Sequence, residues 1–251
     1  MTSKNIILAL ILFVLDYACS TNVDTSGFTA EQHLQYAQKL LTDGDYEEAI
    51  HEYQQILLQY SGTSINDDAQ YFLGMAYFKH EQYILAAYEF SKLIRDIPTS
   101  PFVQDAQFML AESYYKLSPN YQLEQSYTKK AIREFQAFID FFPKHPKVKE
   151  AEEKIKELNL KLAHKQFHSA EIYEKMEYYN AAMQYYTKVY ETYHDTKYAP
   201  EALYRKIKIL ADEKHNTDKA LREIEKFLSK YPNNDKTEEI KKIKSNLLKG
   251  K

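Results

Sequence analysis

The stretch that decides the fold is LGMAYFKHEQYILAAYEFSKLIRDIP, residues 73–98. Its second half carries one apolar stripe at helical spacing, formed by Tyr83, Ala86, Phe90 and Leu93. Pro98 then ends the helix, because proline lacks a backbone N–H and disfavours helical geometry in the residue before it. An upstream helix carries Leu73, Gly74 and Tyr77, and the small Gly74 allows the two helices to approach closely. The stretch therefore predicts a pair of packed antiparallel helices.

The same stripe returns four more times along the chain. The copies are Tyr46, Ala49, Tyr53 and Ile56; Ala131, Phe135 and Phe138; Tyr179, Ala182, Tyr186 and Val189; and Ala220, Ile224 and Phe227. The alanines of successive copies lie 37, 45, 51 and 38 residues apart. A helix pair repeated at this spacing, with alternating small and large residues, is typical of tetratricopeptide (TPR) repeats, which stack on their neighbours to bury an apolar face. We predict an all-α TPR helical-repeat superhelix of about five repeats.

Composition agrees with helices and excludes several classes of function. The 251 residues include only 5 Gly and 7 Pro, too few turn residues for a many-stranded sandwich, barrel or propeller. The net charge of −3 gives no reason to expect nucleic acid as a partner. The single cysteine excludes an internal disulfide and a Cys-rich metal site. The sequence contains no phosphate-binding glycine loop and no nucleophile elbow, so we predict a protein without enzymatic activity or cofactor.

The N-terminus reads as a targeting segment. The apolar run from Ile6 to Leu15 is half the roughly 20 residues that a transmembrane helix needs, so residues 1–18 are predicted to be a cleaved signal peptide. Cys19 directly follows the small Ala18, as in bacterial lipoprotein signals, although an ordinary signal peptide with an incidental cysteine is the alternative. We predict lipid attachment at Cys19, a tether over residues 19–29, and a location on the periplasmic face of the outer membrane.

Two departures from regular spacing divide the repeats. The third repeat has about eight extra residues between its helices, Ser118–Gln125, which predict an exposed loop. Residues 147–176 contain no Gly or Pro and predict one helix of about 30 residues, with two helices broken near His164 as the alternative. We therefore expect an N-terminal TPR block over residues 30–146 with repeats 1–3, and a C-terminal block over residues 147–251 with the long helix, repeats 4–5 and a basic tail.

Together these features resemble the BamD family of outer-membrane β-barrel assembly lipoproteins. The resemblance includes the signal, the five TPR units, the loop beginning Ser118-Pro119, the run EFQAFIDFFP at residues 134–143, and EALYR at residues 201–205. It implies a scaffold that binds a BamA-like β-barrel protein and other Bam lipoproteins and receives unfolded outer-membrane protein precursors. In that family the C-terminal repeats mainly contact BamA and the N-terminal repeats form the proposed precursor pocket. The alternative is another periplasmic TPR adaptor, such as a cell-envelope coordinator.

A peptide groove is predicted on the first helices of repeats 2 and 3. TPR positions that line the concave surface fall on Tyr71, Met75, Phe78, Lys79, Phe108, Glu112, Tyr115 and Lys116. Aromatic rings edged by lysines suit a peptide that ends in an aromatic residue and a carboxylate. The open alternative is that several of these rings pack against the next repeat.

Three further patterns receive structural interpretations. His164 and His168 lie one turn apart, but no third ligand stands nearby, so an exposed helix face is expected rather than a metal site. The run at residues 147–156 mixes both charges at helical spacing, which is typical of a solvated surface. The basic segment at residues 241–251 is interpreted as a frayed helix end, the alternative being contact with acidic partners or lipid.

Overall fold

The computed structural model describes residues 23–213 and 215–249, and in these ranges all regular structure is helical. The α-helices are α1 Ala30–Asp43, α2 Tyr46–Gln59, α3 Asn66–Lys79, α4 Tyr83–Asp96, α5 Val103–Leu117, α6 Ser126–Phe141, α7 Val148–Lys175, α8 Tyr179–Thr192, α9 Tyr198–Lys208, α10 Thr217–Lys230 and α11 Thr237–Lys249. A π-helical turn, Ile209–Glu213, follows α9. The predicted signal peptide, residues 1–18, and Cys19 lie outside the described ranges.

Each helix packs mainly on the helices before and after it in the chain. Two contacts skip one helix: α1 touches α3, and α7 touches α9. In both cases the first helix of one pair meets the first helix of the next pair. The helices therefore form five pairs, from α1 with α2 to α9 with α10, and α11 covers the last pair. This arrangement confirms the predicted TPR fold of about five repeats.

The turn inside a pair has a common hydrogen-bond pattern in repeats 1, 2 and 4. Gly44 ends α1 with φ of +93°, and the next N–H donates to the carbonyl of Leu40 at 2.9 Å. The equivalent residues of repeats 2 and 4 are Glu81 and Glu177, with φ of +60° and +61°. Left-handed backbone is easily reached by glycine but strained for other residues. Gly44 therefore ends α1 with glycine in the left-handed region, and the turns of repeats 2 and 4 adopt the same conformation without glycine.

The repeated stripe forms the core. Its leading tyrosines, Tyr46, Tyr83 and Tyr179, are half-buried, and its other fifteen residues have no solvent exposure: Ala49, Tyr53, Ile56, Ala86, Phe90, Leu93, Ala131, Phe135, Phe138, Ala182, Tyr186, Val189, Ala220, Ile224 and Phe227. Packing is tight at Gly74, where an added Cβ would lie 2.7 Å from the Phe90 ring. The predicted close approach of α3 and α4 is confirmed.

The long helix α7 is continuous over 28 residues, so the alternative of a break near His164 is wrong. Its two halves serve different parts of the core. Ala151 and Leu158 pack with the cluster that begins at Ala37 in α1, whereas Leu162 and Ala163 pack with Tyr193, which follows α8. α7 is therefore shared between the repeats on either side of it.

The exposed loop expected at Ser118–Gln125, which we call the strap loop, is confirmed at four positions, Asn120, Gln122, Leu123 and Glu124, but is wrong at Gln125. Gln125 is buried and donates through its side chain to the carbonyls of Asn120 and Leu123. The Tyr121 ring lies flat against His164 of α7. The expectation of an exposed face at His164 is also wrong, because its ring is half-buried between Tyr121 and Tyr198. The contacts made by Gln125 and Tyr121 do not follow from helical periodicity, because both depend on the path of the strap loop.

The C-terminal segment also differs from expectation. Instead of fraying near Lys241, α11 remains helical to Lys249, where the described range ends. Ile240 has no solvent exposure, and Lys244 forms an ion pair at 2.6 Å with Glu225 of α10. The amphipathic pattern that buries Ile240 keeps this helix on α10.

Candidate functional site

The predicted groove residues on α3 share one side of that helix, at positions i, i+4, i+7 and i+8. Tyr71 is half-buried and stacks on Phe102, just before α5, with ring centroids 4.6 Å apart. Burial, together with the nearby Asp105, raises the pKa of Tyr71 to about 12. Tyr71 therefore contributes to the junction between repeats 2 and 3 while leaving part of its ring accessible.

The remaining α3 residues are more open. Met75 and Phe78 are half-buried, and Phe78 meets the Tyr83 ring edge to face at 5.3 Å. Lys79 is exposed and forms no ion pair within the described part of the chain. This end of α3 thus offers apolar surface next to a cation.

Phe108 on α5 is a packing residue. It is only 3% exposed and contacts Phe135 and Phe138 of α6, with centroids 5.7 and 5.3 Å away. The Lys147 ammonium lies 4.6 Å above its ring. Phe108 thus packs against the second helix of its own repeat, whereas Tyr71, on Phe102, packs against the next repeat as in the open alternative.

The other α5 residues meet charged side chains of α7. Lys154 Nζ lies 2.7 Å from Glu112 Oε1 and 4.2 Å above the Tyr115 ring. The Tyr115 hydroxyl donates to Glu157 Oε2 at 2.7 Å, and burial and this bond raise the pKa of Tyr115 to about 12. Lys116 is exposed and has no ion pair among the described residues.

Lys147 and Lys154 also belong to this surface. Sequence alone does not reveal this, because the mixed charges at residues 147–156 are typical of a solvated helix face. Lys147 lies directly before α7 and Lys154 about two turns later, so their spacing of seven residues brings both to the side of α7 that meets α5. The face that they share is directed at α5, where Lys154 is 19% exposed in its ion pair with Glu112. The accessible part of the predicted groove consequently consists of Met75, Phe78, an edge of Tyr71 and Tyr115, and the free cations Lys79 and Lys116.

A second concave surface, which the sequence did not predict, lies between α8 and α10. We call it the C-terminal cleft; its volume is ≈ 670 Å³. It is lined by Asn180, Met183, Gln184, Thr187, Lys206, Leu210, Lys219, Arg222 and Glu223. Leu210 belongs to the π-helical turn, a type of distortion that is frequent at functional sites.

The C-terminal cleft has an excess of positive charge at its rim. The Glu223 carboxylate at its base pairs with both Lys206 and Lys226 at 3.2 Å. Lys219 and Arg222 are exposed at its rim, and neither forms an ion pair with a described residue. The rim is therefore positively charged and available to an acidic partner.

Residues 23–213 and 215–249 contain no group of three or more His, Cys, Asp or Glu side chains arranged to hold a metal ion. None of the helices in those same ranges is long and apolar enough to cross a bilayer. Cys19, the predicted lipid attachment site, is outside the described residues.

Comparison with known proteins identifies relatives over most of the repeat array. Residues 28–212 match the YfiO family model, described as an outer membrane lipoprotein. The chain is 26% identical over 189 residues to the outer membrane protein assembly factor BamD of Rickettsia prowazekii, covering 74% of this chain and 75% of the relative. It is 24% identical over 196 residues to BamD of Pasteurella multocida, with the same coverage.

Solved structures with a similar arrangement of helices include TPR proteins. A TPR repeats protein from Bacteroides fragilis aligns with a TM-score of 0.45 at 15% identity, covering 89% of this chain and 99% of that one. The TPR2AB domain of yeast Sti1 aligns with a TM-score of 0.43 at 14% identity, covering 88% and 83%.

Proposed function

The chain belongs to the YfiO family of outer membrane lipoproteins, and on this premise we propose that it is a non-catalytic scaffold for the assembly of outer-membrane β-barrel proteins. The observation that carries the proposal is the family match over residues 28–212, which includes all of repeats 1–4 and α9, the first helix of repeat 5. Two relatives named as BamD assembly factors support the same role. The proposed partners are a BamA-like β-barrel protein, other Bam lipoproteins and unfolded barrel precursors.

We further propose that the protein is anchored by lipid at Cys19 on the periplasmic face of the outer membrane. The family description and the position of Cys19 directly after Ala18 support this anchor. Radiolabelled palmitate should be incorporated into the wild-type chain, and Cys19→Ser should abolish the label. A wild-type chain that remains unlabelled and freely soluble after signal cleavage would show that the anchor is absent.

The proposed surface for the barrel protein is the C-terminal cleft. Its positive rim suits an acidic segment, because neither Lys219 nor Arg222 has an ion pair with a described residue that must first be broken. In detergent extracts of the cell envelope, a BamA-like protein should co-purify with the wild-type chain and be depleted by Lys219→Glu with Arg222→Glu. Lys230→Glu on the same helix is the matched control for a charge change outside the cleft. Equal recovery with the wild type and both variants would exclude the cleft, and no recovery with the wild type would contradict the scaffold role.

The proposed surface for precursors is the accessible part of the α3–α5 groove. A peptide ending in phenylalanine would place its ring on Phe78 and Met75 and its carboxylate near Lys79 or Lys116. Since an exposed ion pair contributes about 0.5–1 kcal/mol, amidation of the peptide should weaken binding about two- to fivefold. Fluorescence anisotropy with carboxylate and amide peptides measures this difference directly.

Substitutions separate groove binding from nonspecific adhesion. Phe78→Ala should weaken binding of the carboxylate peptide, whereas Leu58→Ala, at a 75% exposed position on α2, should not. Lys79→Glu with Lys116→Glu should remove the preference for a free carboxylate. If the folded Phe78→Ala variant binds as well as the wild type, the groove is not the precursor site.

A further inference from the structure

The strap loop is held to the middle of α7 by two lysines. Lys165 Nζ donates to the carbonyls of Tyr121 and Gln122 at 3.2 Å and of Leu123 at 2.8 Å. Lys161 Nζ donates to Ser118 Oγ at 2.9 Å. One ammonium thus satisfies three consecutive loop carbonyls, which gives the strap loop one defined path across α7.

A stack of three rings continues from the strap loop to repeat 5. The Tyr121 and His164 centroids are 3.9 Å apart with an interplanar angle of 26°. His164 in turn stacks on Tyr198, the first residue of α9, at 5.1 Å and 7°. The three rings join repeat 3, α7 and repeat 5. Of these three rings, only the imidazole of His164 changes its charge near neutral pH.

The charges around His164 are mostly positive. Its own helix supplies Lys161, Lys165, His168 and Glu171, the segment before α9 supplies Lys197, and the strap loop and α9 supply the phenols of Tyr121 and Tyr198. Leu162 and Ala163 beside it pack against Ile132 of α6 and Tyr193 after α8, which bring no formal charge. Glu171 is the one carboxylate that opposes this positive field at His164.

Burial first, and then His168 and Lys197, lower the pKa of His164 from the ordinary 6.5. The His164 ring is half-buried between Tyr121 and Tyr198, and Lys197 precedes α9 nearby, so both burial and like charge disfavour a protonated imidazole in the closed stack. The closed stack consequently favours neutral imidazole, while a His164 released into water has the ordinary affinity for a proton.

We propose that the strap loop is a proton-operated latch: neutral His164 holds Tyr121 and Tyr198 together across α7, and protonation of His164 releases the strap loop. The direction in which pH shifts the latch follows from the linkage between protonation of His164 and opening of the strap loop. Because the open state binds the proton more readily, the ratio of closed to open latch falls as pH decreases below about 6.5, by up to about tenfold per pH unit. This device is independent of the proposed partners, since it involves only residues of the chain itself.

The chain contains no tryptophan, so one substitution provides a unique reporter. In the full chain, Tyr121→Trp keeps an aromatic ring in the stack, and its accessibility to acrylamide reports whether the strap loop is closed. Quenching by acrylamide should rise as pH is lowered from about 7.5 to about 5, while far-UV circular dichroism remains unchanged. A tryptophan that stays shielded over this whole range in the folded chain would overturn the proposal.

Two histidine variants identify the titrating group. His164→Phe in the reporter background preserves ring stacking without a titratable nitrogen, and its quenching should be independent of pH. His168→Phe is the matched control one turn away, because His168 meets Tyr121 only edge to face at 5.8 Å, and it should retain the pH response. A pH response that persists in His164→Phe would likewise overturn the latch, whereas its loss in that variant alone supports it.

Discussion

Replacing Gly74 by alanine tests whether the close approach of α3 and α4 at this residue limits the stability of the array. A Cβ at this position would lie 2.7, 2.9 and 3.0 Å from Cε1, Cδ1 and Cζ of Phe90. Phe90 has no solvent exposure, so its ring cannot move aside into water. Overpacking of this kind costs about 1–3 kcal/mol, whereas alanine gains about 1 kcal/mol over glycine within a helix. We expect Gly74→Ala to lower the free energy of unfolding by up to about 2 kcal/mol.

Urea unfolding followed by circular dichroism measures the change, and a double-mutant cycle assigns its cause. Phe90→Leu removes the ring atoms that the new methyl group would meet, so Gly74→Ala should be neutral or stabilising in that background. The coupling between the two substitutions should be about 1–3 kcal/mol. The loss of stability in Ala137→Gly on α6 measures how much alanine is favoured over glycine within a helix of this protein. If Gly74→Ala alone stabilises the protein by the propensity difference, the steric reasoning is refuted.

For three further substitutions the structure predicts whether stability or the rate of hydrogen exchange rises or falls. Glu177→Gly should raise the thermal midpoint, gaining about 0.5–1 kcal/mol, because glycine adopts the φ of +61° without strain; a gain of equal size from Glu177→Ala would contradict this cause. Phe135→Ala should cost about 3–5 kcal/mol in urea unfolding, because the ring has no exposure; a cost below about 1 kcal/mol would mean that the core repacks. Lys165→Met should accelerate hydrogen exchange in the strap loop about tenfold while exchange in α7 is unchanged, and an unaltered loop would show that the ammonium does not hold it.

The fold was predictable because its signal is local and repeated. Alanine, aromatic and aliphatic residues recur at one helical offset, and the same three kinds of side chain are fully buried in every pair, as at Ala86, Phe90 and Leu93. Breakers such as Pro98 mark where the second helix of a pair must end. The continuity of α7 also followed from composition, since no Gly or Pro interrupts it.

The candidate sites were less predictable because they depend on which side chains meet across repeats. TPR register identified the helix face of Phe108 and Tyr115, but it did not reveal that Phe108 is covered by α6 or that Lys154 reaches over Tyr115. The contact between Tyr121 and His164 joins residues 43 positions apart through an irregular loop, for which helical periodicity has no counterpart. The π-helical turn at Ile209–Glu213 likewise has no glycine or proline to indicate it.

Nearest-neighbour packing has a kinetic consequence for the chain. Almost every helix completes its contacts with helices adjacent in sequence, so the average sequence separation between contacting residues is small. Folding in such arrays can nucleate in any pair and spread outward, and low contact order favours rapid folding. A chain delivered with its N-terminus first can therefore close α1 on α2, and α2 on α3, before its last repeat has arrived.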